Sequence, residues 1–193
     1  GKDQVTLILG DNIFYGYDFS KLLADNVKNI KKGATIFSYE VSDPERFGVV
    51  EINNKGNAVA LQEKPKNPKS NNAVVGLYIY DNKVIDYAKQ LKPSTRGELE
   101  ITDLNKKYLQ MKQLNVATLG KGFAWLDTGT PESLLEASHF VNTIEKRQGI
   151  KIGCIEEAAY KNQWISKKQL KNISSEMKNT GYGEYLDKII KNQ

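Results

Sequence analysis

The sequence predicts an α/β fold in which helices flank a mixed sheet. Along the first 130 residues, short apolar runs alternate with segments of helical periodicity, which is the pattern of α/β domains. Turn residues at 53–57 separate two of these runs and predict a hairpin, so part of the sheet is antiparallel. Beyond Gly149 the apolar runs give way to short Lys-rich helical segments, which predicts a small helical part after the sheet.

Composition narrows the possible classes of protein. A chain of 193 residues that is 39% hydrophobic can bury one substantial core. The net charge of +5 comes from basic residues scattered among acidic ones, which argues against a nucleic-acid partner and is compatible with a phosphorylated ligand. The apolar runs are too short to cross a membrane. Cys154 is the sole cysteine, so no intrachain disulfide forms; we interpret it as a buried apolar residue in a cytoplasmic protein.

The sequence predicts strands and helices in alternation along most of the chain. Residues 5–9 are apolar except for Thr6 and predict a buried parallel strand, so the chain is expected to begin in mid-sheet. Residues 10–12 form the turn at its end, and 18–29 form a helix with Asp18 as N-cap. Further strands are predicted at 34–41, 49–52, 58–62, 73–80, 116–119 and 124–126, and further helices near 83–91 and 101–112.

Thr130, followed by Pro131, predicts a strong helix start. Leu134, Ala137, Val141 and Ile144 then recur at helical spacing, and we expect this stripe to pack on the sheet. Short helices are predicted at 155–160, 166–177 and 183–190. We therefore expect a sheet domain at residues 1–150 and a helical subdomain at 151–193.

Two aspartates follow apolar runs directly and have glycine neighbours, namely Asp11 after Gly10 and Asp127 before Thr128 and Gly129. In open α/β sheets such strand ends carry ligand sites, and Mg²⁺ is commonly held by one or two carboxylates together with substrate phosphates. The pattern is compatible with a shared Mg²⁺ site. The alternative is that the two aspartates only cap a turn and a helix.

Glu63-Lys64-Pro65 follows another predicted strand. Because proline cannot donate to the ladder, pairing should loosen here and release Lys64 toward a crevice, where its ammonium group would suit a phosphate. Glu63 could accept hydrogen bonds from sugar hydroxyls. The alternative is an ordinary surface charge pair before a turn. His139 lies inside a helical pattern with no catalytic triad around it, and we interpret it as structural.

Six blocks in a fixed order resemble glucose-1-phosphate thymidylyltransferases, and the similarity continues through Glu156-Glu157-Ala158-Ala159-Tyr160 and Gly181-Tyr182-Gly183. The blocks are Leu9-Gly10-Asp11-Asn12, Asp43-Pro44-Glu45-Arg46-Phe47-Gly48-Val49-Val50, Glu63-Lys64-Pro65, Gly76-Leu77-Tyr78, Arg96-Gly97-Glu98-Leu99-Glu100-Ile101-Thr102-Asp103 and Trp125-Leu126-Asp127-Thr128-Gly129-Thr130.

The resemblance implies a Rossmann-like nucleotidyltransferase fold and a role for each matching residue. Asp11 and Asp127 would bind Mg²⁺, and Lys64 would contact the sugar phosphate. Glu63 and Gly48 would contact the hexose. Further residues are implied near the same pocket: Val74, Asn12, Tyr78, Arg96 and Glu98.

The implied reaction joins dTTP and glucose 1-phosphate to give dTDP-glucose and pyrophosphate. A cytoplasmic homotetramer that serves dTDP-rhamnose and cell-surface polysaccharide synthesis is also implied. The family's Gly-rich segment G-x-G-T-R-x-x-P, which binds the triphosphate and adjoins the base-reading residues, does not occur in this sequence. We therefore expect an N-terminally truncated enzyme that is inactive alone. Another sugar-1-phosphate nucleotidyltransferase, or a non-catalytic binding or assembly module, remains an alternative.

Overall fold

A computed structural model describes residues 2–192, and the chain divides between Gly129 and Thr130 into two compact units. The first unit has eight strands, three α-helices and a 3₁₀ helix at Pro44–Arg46 within the described residues. The strands are β1 (Val5–Ile8), β2 (Asn12–Gly16), β3 (Ala34–Glu40), β4 (Gly48–Ile52), β5 (Ala58–Glu63), β6 (Asn72–Tyr80), β7 (Leu114–Leu119) and β8 (Phe123–Asp127), and the helices are α1 (Phe19–Asn29), α2 (Val84–Ala88) and α3 (Ile101–Gln110).

The main sheet is mixed, as predicted. Its strand order is β5-β4-β6-β3-β7, and β1 pairs with the same edge of β6 as β4. Only β3 and β7 run parallel, whereas the other pairs are antiparallel. The predicted hairpin is confirmed as β4–β5, whose turn closes through Asn53 and has Gly56 at a φ of 82°.

The prediction for residues 5–9 was wrong in two respects. β1 pairs antiparallel with β6, and Leu7, Ile8 and Leu9 are 39%, 55% and 40% exposed. An apolar run indicates a strand but carries no information about the direction of its neighbour, which only the order of strands in the sheet decides. The short strand β2 was not predicted. It pairs with β8 as a separate antiparallel ribbon.

The core lies on both faces of the main sheet. Tyr78 and Tyr80 of β6 join one buried cluster with Leu104 and Tyr108 of α3. The alternate residues of β6 join a second cluster, which α1 covers together with Phe14, Phe123 and Trp125. Burial of both faces explains why residues 73–80 are almost continuously apolar.

Helix α1 begins where predicted, but Asp18 does not cap it as expected. The backbone of Asp18 has a left-handed conformation, with a φ of 57°, and the Asp18 side chain makes no cap hydrogen bond. The first turn of α1 instead packs through Phe19, whose ring stacks on Phe14 at 5.4 Å. Tertiary packing of an aromatic residue therefore positions the helix start that local capping was expected to set.

The second unit contains four helices in the described residues, in good agreement with the predicted positions. Thr130 caps the first of them through a capping box with Ser133. A small core in this unit contains Leu170, Leu186 and Cys154, so the cysteine is buried as predicted. The helices are α4 (Pro131–Gln148), α5 (Ile155–Lys161), α6 (Lys167–Glu176) and α7 (Gly181–Lys191).

The predicted division into residues 1–150 and 151–193 places α4 with the sheet. It stays a prediction about the extent of the catalytic domain. The packing of the apolar stripe of α4 on the sheet also stays a prediction; in this stripe Ala137 is buried and Leu134 is 53% exposed. His139 lies in α4 and is exposed. Within residues 2–192, no helix has the length and apolar character needed to cross a membrane.

Candidate functional site

Two antiparallel strands bring Asp11 and Asp127 together. Asp11 lies in the turn between β1 and β2, and Asp127 is the last residue of β8. The register of the β2–β8 ribbon places Asn12 opposite Asp127. The backbone N–H and the hydroxyl of Thr128 both donate to the Asp11 carbonyl oxygen, at 2.8 and 3.0 Å. The ribbon that the sequence did not predict is therefore what joins the two predicted aspartates.

Both carboxylates face the same point beside Gly129. A methyl group on Gly129 would lie 3.5 Å from Oδ2 of Asp127 and 4.0 Å from Oδ2 of Asp11, so the two oxygens are at most 7.5 Å apart, the sum of these distances. Glycine at this position leaves the space between them open. Among residues 2–192 no group of three or more His, Cys, Asp or Glu side chains is arranged to hold a metal. Two hard oxygen donors with open space beside them fit Mg²⁺, which usually keeps several waters and takes phosphate oxygens as further ligands.

Arg46 is a site residue that sequence reasoning missed. Its guanidinium lies 3.7 Å from Oδ2 of Asp127 and 2.8 Å from Oδ2 of Asp43. It also lies over the ring of Phe47, which in turn packs edge-on against Trp125. The signal was present, since Arg46 belongs to one of the six blocks. The sequence around a single arginine in a polar loop nevertheless does not indicate which carboxylate the arginine will contact.

Asn12 is the centre of a hydrogen-bond network below the aspartates. Its Oδ1 accepts from Nε1–H of Trp125 at 2.7 Å and from the backbone N–H of Gly76 at 3.0 Å. Its Nδ2 donates to Oδ1 of Asp11 at 2.8 Å. Trp125 and Gly76 lie in two of the recognised blocks, yet neither was predicted to act at the site.

A second group of predicted residues meets at the ends of β4 and β5. A methyl group on Gly48 would lie 3.1 Å from Oγ1 of Thr102, 3.3 Å from Oε2 of Glu63 and 3.9 Å from Cβ of Val74. Gly48, Glu63 and Val74 are therefore neighbours, as the sequence resemblance implied. The hydroxyl of Thr102, a buried residue that was not predicted, donates to Oε2 of Glu63.

Tyr78 belongs to the core rather than to an open surface. It is 3% exposed, and its ring stacks on that of Tyr80 at 6.0 Å. Burial raises the pKa of the Tyr78 hydroxyl well above its usual value, and the negative charge of Glu63 raises the pKa further. Tyr78 thus stays protonated behind the group that contains Glu63.

Arg96 and Glu98 lie together in the loop before α3. The Arg96 guanidinium pairs with the Glu98 carboxylate, and its Nε lies 3.3 Å from Oε1 of Glu100. The hydrogen bond and charge of Arg96 lower the pKa of Glu98, and the charge of Lys64 contributes in the same direction. The structure therefore brings Lys64 within electrostatic reach of this loop.

Lys64 directly follows β5, but its backbone is not released as expected. It is exposed, it adopts a left-handed φ of 40°, and its N–H still donates to the carbonyl oxygen of Phe47 at 3.0 Å. Pro65 ends the strand, while the turn at Lys64 retains one more ladder bond. β5 ends at Glu63, so the expected loosening before Pro65 is present, but the Lys64 N–H keeps one ladder bond because proline removes only its own donor.

The chain is similar to known proteins over most of its length. A family model described as nucleotidyl transferase matches residues 1–144. The chain is 52% identical over 191 residues to a glucose-1-phosphate thymidylyltransferase of Neisseria meningitidis serogroup A, a match that covers 99% of this chain and 66% of the relative. It is also 52% identical to the enzyme of that name from Mycolicibacterium smegmatis, over 98% of this chain and 65% of the relative. The chain spans about two thirds of the length of the curated relatives it matches.

Solved structures support the fold. A crystal structure from Bacillus anthracis, described as a glucose-1-phosphate thymidylyltransferase in complex with sucrose, matches with a TM-score of 0.64 at 45% identity and covers 72% of this chain and 55% of that one. UDP-glucose pyrophosphorylase complexed with UDP-glucose matches with a TM-score of 0.61 at 24% identity, over 74% of this chain and 57% of that one, which shows a shared fold alone.

Proposed function

Because the chain belongs to the nucleotidyl transferase family, we propose that it forms the sugar-phosphate and metal half of a glucose-1-phosphate thymidylyltransferase. The activity is proposed for the protein that combines this chain with the remaining third found in the relatives. That protein transfers a deoxythymidylyl group from dTTP to glucose 1-phosphate, giving dTDP-glucose and pyrophosphate. The names of relatives at up to 52% identity support this assignment.

One observation carries the proposal, namely that the short segment from Arg46 to Gly48 contacts both predicted groups. Arg46 lies against Asp127, whereas Gly48 lies against Glu63. A carboxylate pair suited to a metal and a carboxylate suited to sugar hydroxyls are thus linked by three consecutive residues. A sugar phosphate held near Glu63 would place its anionic end toward the aspartates.

Asp11 and Asp127 would hold Mg²⁺, with waters and substrate phosphates as the other ligands. When bound, the ion neutralises the charge that develops at the transferred phosphoryl group. Lys64 would contact the phosphate of glucose 1-phosphate, and Glu63 would accept hydrogen bonds from the hexose. The backbone of Gly48 and the side chain of Val74 would line the hexose site, Asn12, Arg96 and Glu98 would lie around it, and the buried Tyr78 would support it from behind Glu63.

The reaction needs no covalent enzyme intermediate. A phosphate oxygen of glucose 1-phosphate attacks the α-phosphorus of dTTP and forms a new P–O bond, while the bond between the α-phosphorus and the bridging oxygen breaks and pyrophosphate leaves with the electron pair. The protein contributes position and charge stabilisation. The homotetramer, the cytoplasmic location and the rhamnose and polysaccharide roles implied by the resemblance stay predictions.

The test is pyrophosphate release by the full-length protein with glucose 1-phosphate and either dTTP or UTP. We expect Asp127→Asn to lower Mg²⁺-dependent turnover about 10²- to 10³-fold, as is typical when one electrostatic stabiliser is lost, because the substitution removes a metal-binding charge at constant size. Asp25→Asn, an exposed substitution in α1, is the matched control and should leave turnover unchanged. Preference for UTP would assign the protein to another sugar nucleotidyltransferase, and no release with either nucleotide would favour a non-catalytic module.

A further inference from the structure

The two oxygens of the Asp11 carboxylate have different surroundings. Oδ1 accepts the hydrogen bond from Asn12, whereas Oδ2 faces the point beside Gly129 that Oδ2 of Asp127 also faces. Asp11 is itself exposed and lies in a turn. A carboxylate in such a place rotates freely unless a neighbour holds it, so the bond from Asn12 selects which oxygen is presented.

The amide of Asn12 is in turn fixed by two groups that can only donate. The indole N–H of Trp125 and the backbone N–H of Gly76 point at the same side-chain atom, which must therefore be the acceptor Oδ1. The amide nitrogen is then forced to face Asp11. If either donor were lost, turning the Asn12 amide by 180° would cost less free energy. The turned amide would present its oxygen, rather than its nitrogen, to the Asp11 carboxylate.

Both donors are held in place by packing. The ring of Trp125 packs edge-on against Tyr39 at 6.2 Å and against Phe47 at 4.9 Å. Gly76 lies on β6, and a methyl group there would come within 2.6 Å of Oδ1 of Asn12, so only glycine allows this approach. The network thus extends from the two-sided core to the aspartate pair.

We propose that Trp125 is a positioning residue that acts through Asn12 to hold the Asp11 carboxylate with Oδ2 turned toward the shared metal point. The inference rests on the proposed function, since it assigns Asp11 as a metal ligand. It goes beyond that function, because it assigns Trp125 a role exerted through Asn12 on the orientation of Asp11. Partners that orient a ligating side chain typically account for about 10- to 100-fold in metal affinity.

The test compares Trp125→Phe with Trp164→Phe in the 193-residue chain. Phenylalanine keeps an aromatic ring between Tyr39 and Phe47 but removes the N–H donor. Trp164 is the only other tryptophan and is 76% exposed, so its replacement is a matched control. The first readout is a high-resolution crystal structure of each variant. The second is Mn²⁺ affinity, measured from the EPR signal of the free ion.

We expect Trp125→Phe to release the Asn12 amide, to leave Asp11 in more than one rotamer and to weaken Mn²⁺ binding about tenfold, with Trp164→Phe unchanged in both readouts. Asn12→Asp is a second variant that keeps the size and the acceptor but cannot donate to Asp11, and it should displace the carboxylate in the same way. An Asp11 rotamer unchanged in both variants would overturn the positioning role. A displaced carboxylate with no Mn²⁺ binding by the parent chain would uphold the positioning role and count against the proposed metal function instead.

Discussion

At the scale of single residues, Gly48 keeps space open beside Glu63. Alanine would place its methyl group 3.1 Å from Oγ1 of Thr102 and 3.3 Å from Oε2 of Glu63, so the Thr102–Glu63 pair must shift. We expect Gly48→Ala to raise the KM for glucose 1-phosphate about tenfold, equivalent to about 1.4 kcal/mol, with little change for dTTP. Steady-state kinetics of the full-length protein would measure this. Gly122→Ala, which meets no atom within 4 Å, is the control, and an unchanged KM for Gly48→Ala would remove Gly48 from the hexose site.

Lys64 allows a direct test of the phosphate contact. Lys64→Ala removes the ammonium group but keeps the Cβ atom, so the left-handed backbone at this residue bears no additional strain. We expect a loss of about 2 to 4 kcal/mol in transition-state stabilisation toward glucose 1-phosphate, as for the loss of one charged donor. The measurement is kcat/KM for the sugar phosphate. Lys66→Ala, at a neighbouring exposed lysine, should have no comparable effect, and equal kinetics for the two variants would show that Lys64 is an ordinary surface residue.

At the scale of elements, α5 and α7 are joined by tyrosine–glutamate pairs. The Tyr182 hydroxyl donates to Oε2 of Glu156 and lies 3.2 Å from Sγ of Cys154, and the Tyr185 hydroxyl donates to Oε2 of Glu157 at 2.5 Å. Glu156, Glu157 and Tyr182 belong to the two C-terminal segments that the resemblance included without giving them a role. The structure shows that they connect the helices of the second unit around the buried Leu186.

The same pairs predict a dependence on alkaline pH. Burial, with the hydrogen bond and charge of Glu157, raises the pKa of Tyr185 to about 12 from its ordinary 10.0. Between these values the unfolded chain releases this proton while the folded chain keeps it, so the stabilisation is full below about pH 10 and is lost as the pH rises toward 12.

We therefore expect the urea midpoint of the second unit to fall between pH 9 and pH 11.5, and to fall less in Tyr185→Phe, which has no proton to lose. Circular dichroism at both pH values would measure the difference. Tyr17→Phe, at a residue that is 87% exposed, should keep the parent's pH dependence. An equal fall in Tyr185→Phe and the parent chain would rule out this contribution.

At the scale of the whole molecule, β1 has one partner strand within residues 2–192, namely β6, and it exposes Leu7, Ile8 and Leu9. The G-x-G-T-R-x-x-P segment is not in the sequence, although it supplies backbone donors for a triphosphate in the family the chain resembles. We predict that a polypeptide of residues 1–193 alone gives no dTDP-glucose. Addition of the unmatched third of a full-length relative, expressed separately, should restore thymidylyl transfer.

Chromatographic detection of dTDP-glucose would test this, with the added segment alone as the control. Robust transfer by residues 1–193 in isolation would contradict the prediction. Transfer that appears only on mixing would place the nucleotide-binding chemistry in the added segment. Recovery of activity would also show that the two polypeptides associate.

The sequence by itself determined the secondary structure of most of the chain and singled out the two aspartates that the structure brings together. Helix periodicity and the Thr130 cap are set by residues a few positions apart, so α3, α4 and the C-terminal helices lie close to where they were predicted. The β4–β5 hairpin is equally local. Asp11 and Asp127 were identified because each follows a strand beside glycine, which is also a local pattern.

Only the tertiary structure decided how these parts meet. The sequence did not predict the direction of β1 or the β2–β8 ribbon. It also did not predict the hydrogen bond from Trp125 to Asn12, which are 113 positions apart. In each case the residues that meet are distant in sequence, and no local pattern indicates the partner. Arg46 and Thr102 went unnoticed for the same reason, since their partners are distant in sequence. Hydrogen bonding and packing act between atoms in contact, and which atoms come into contact is settled by the fold as a whole rather than by any local pattern.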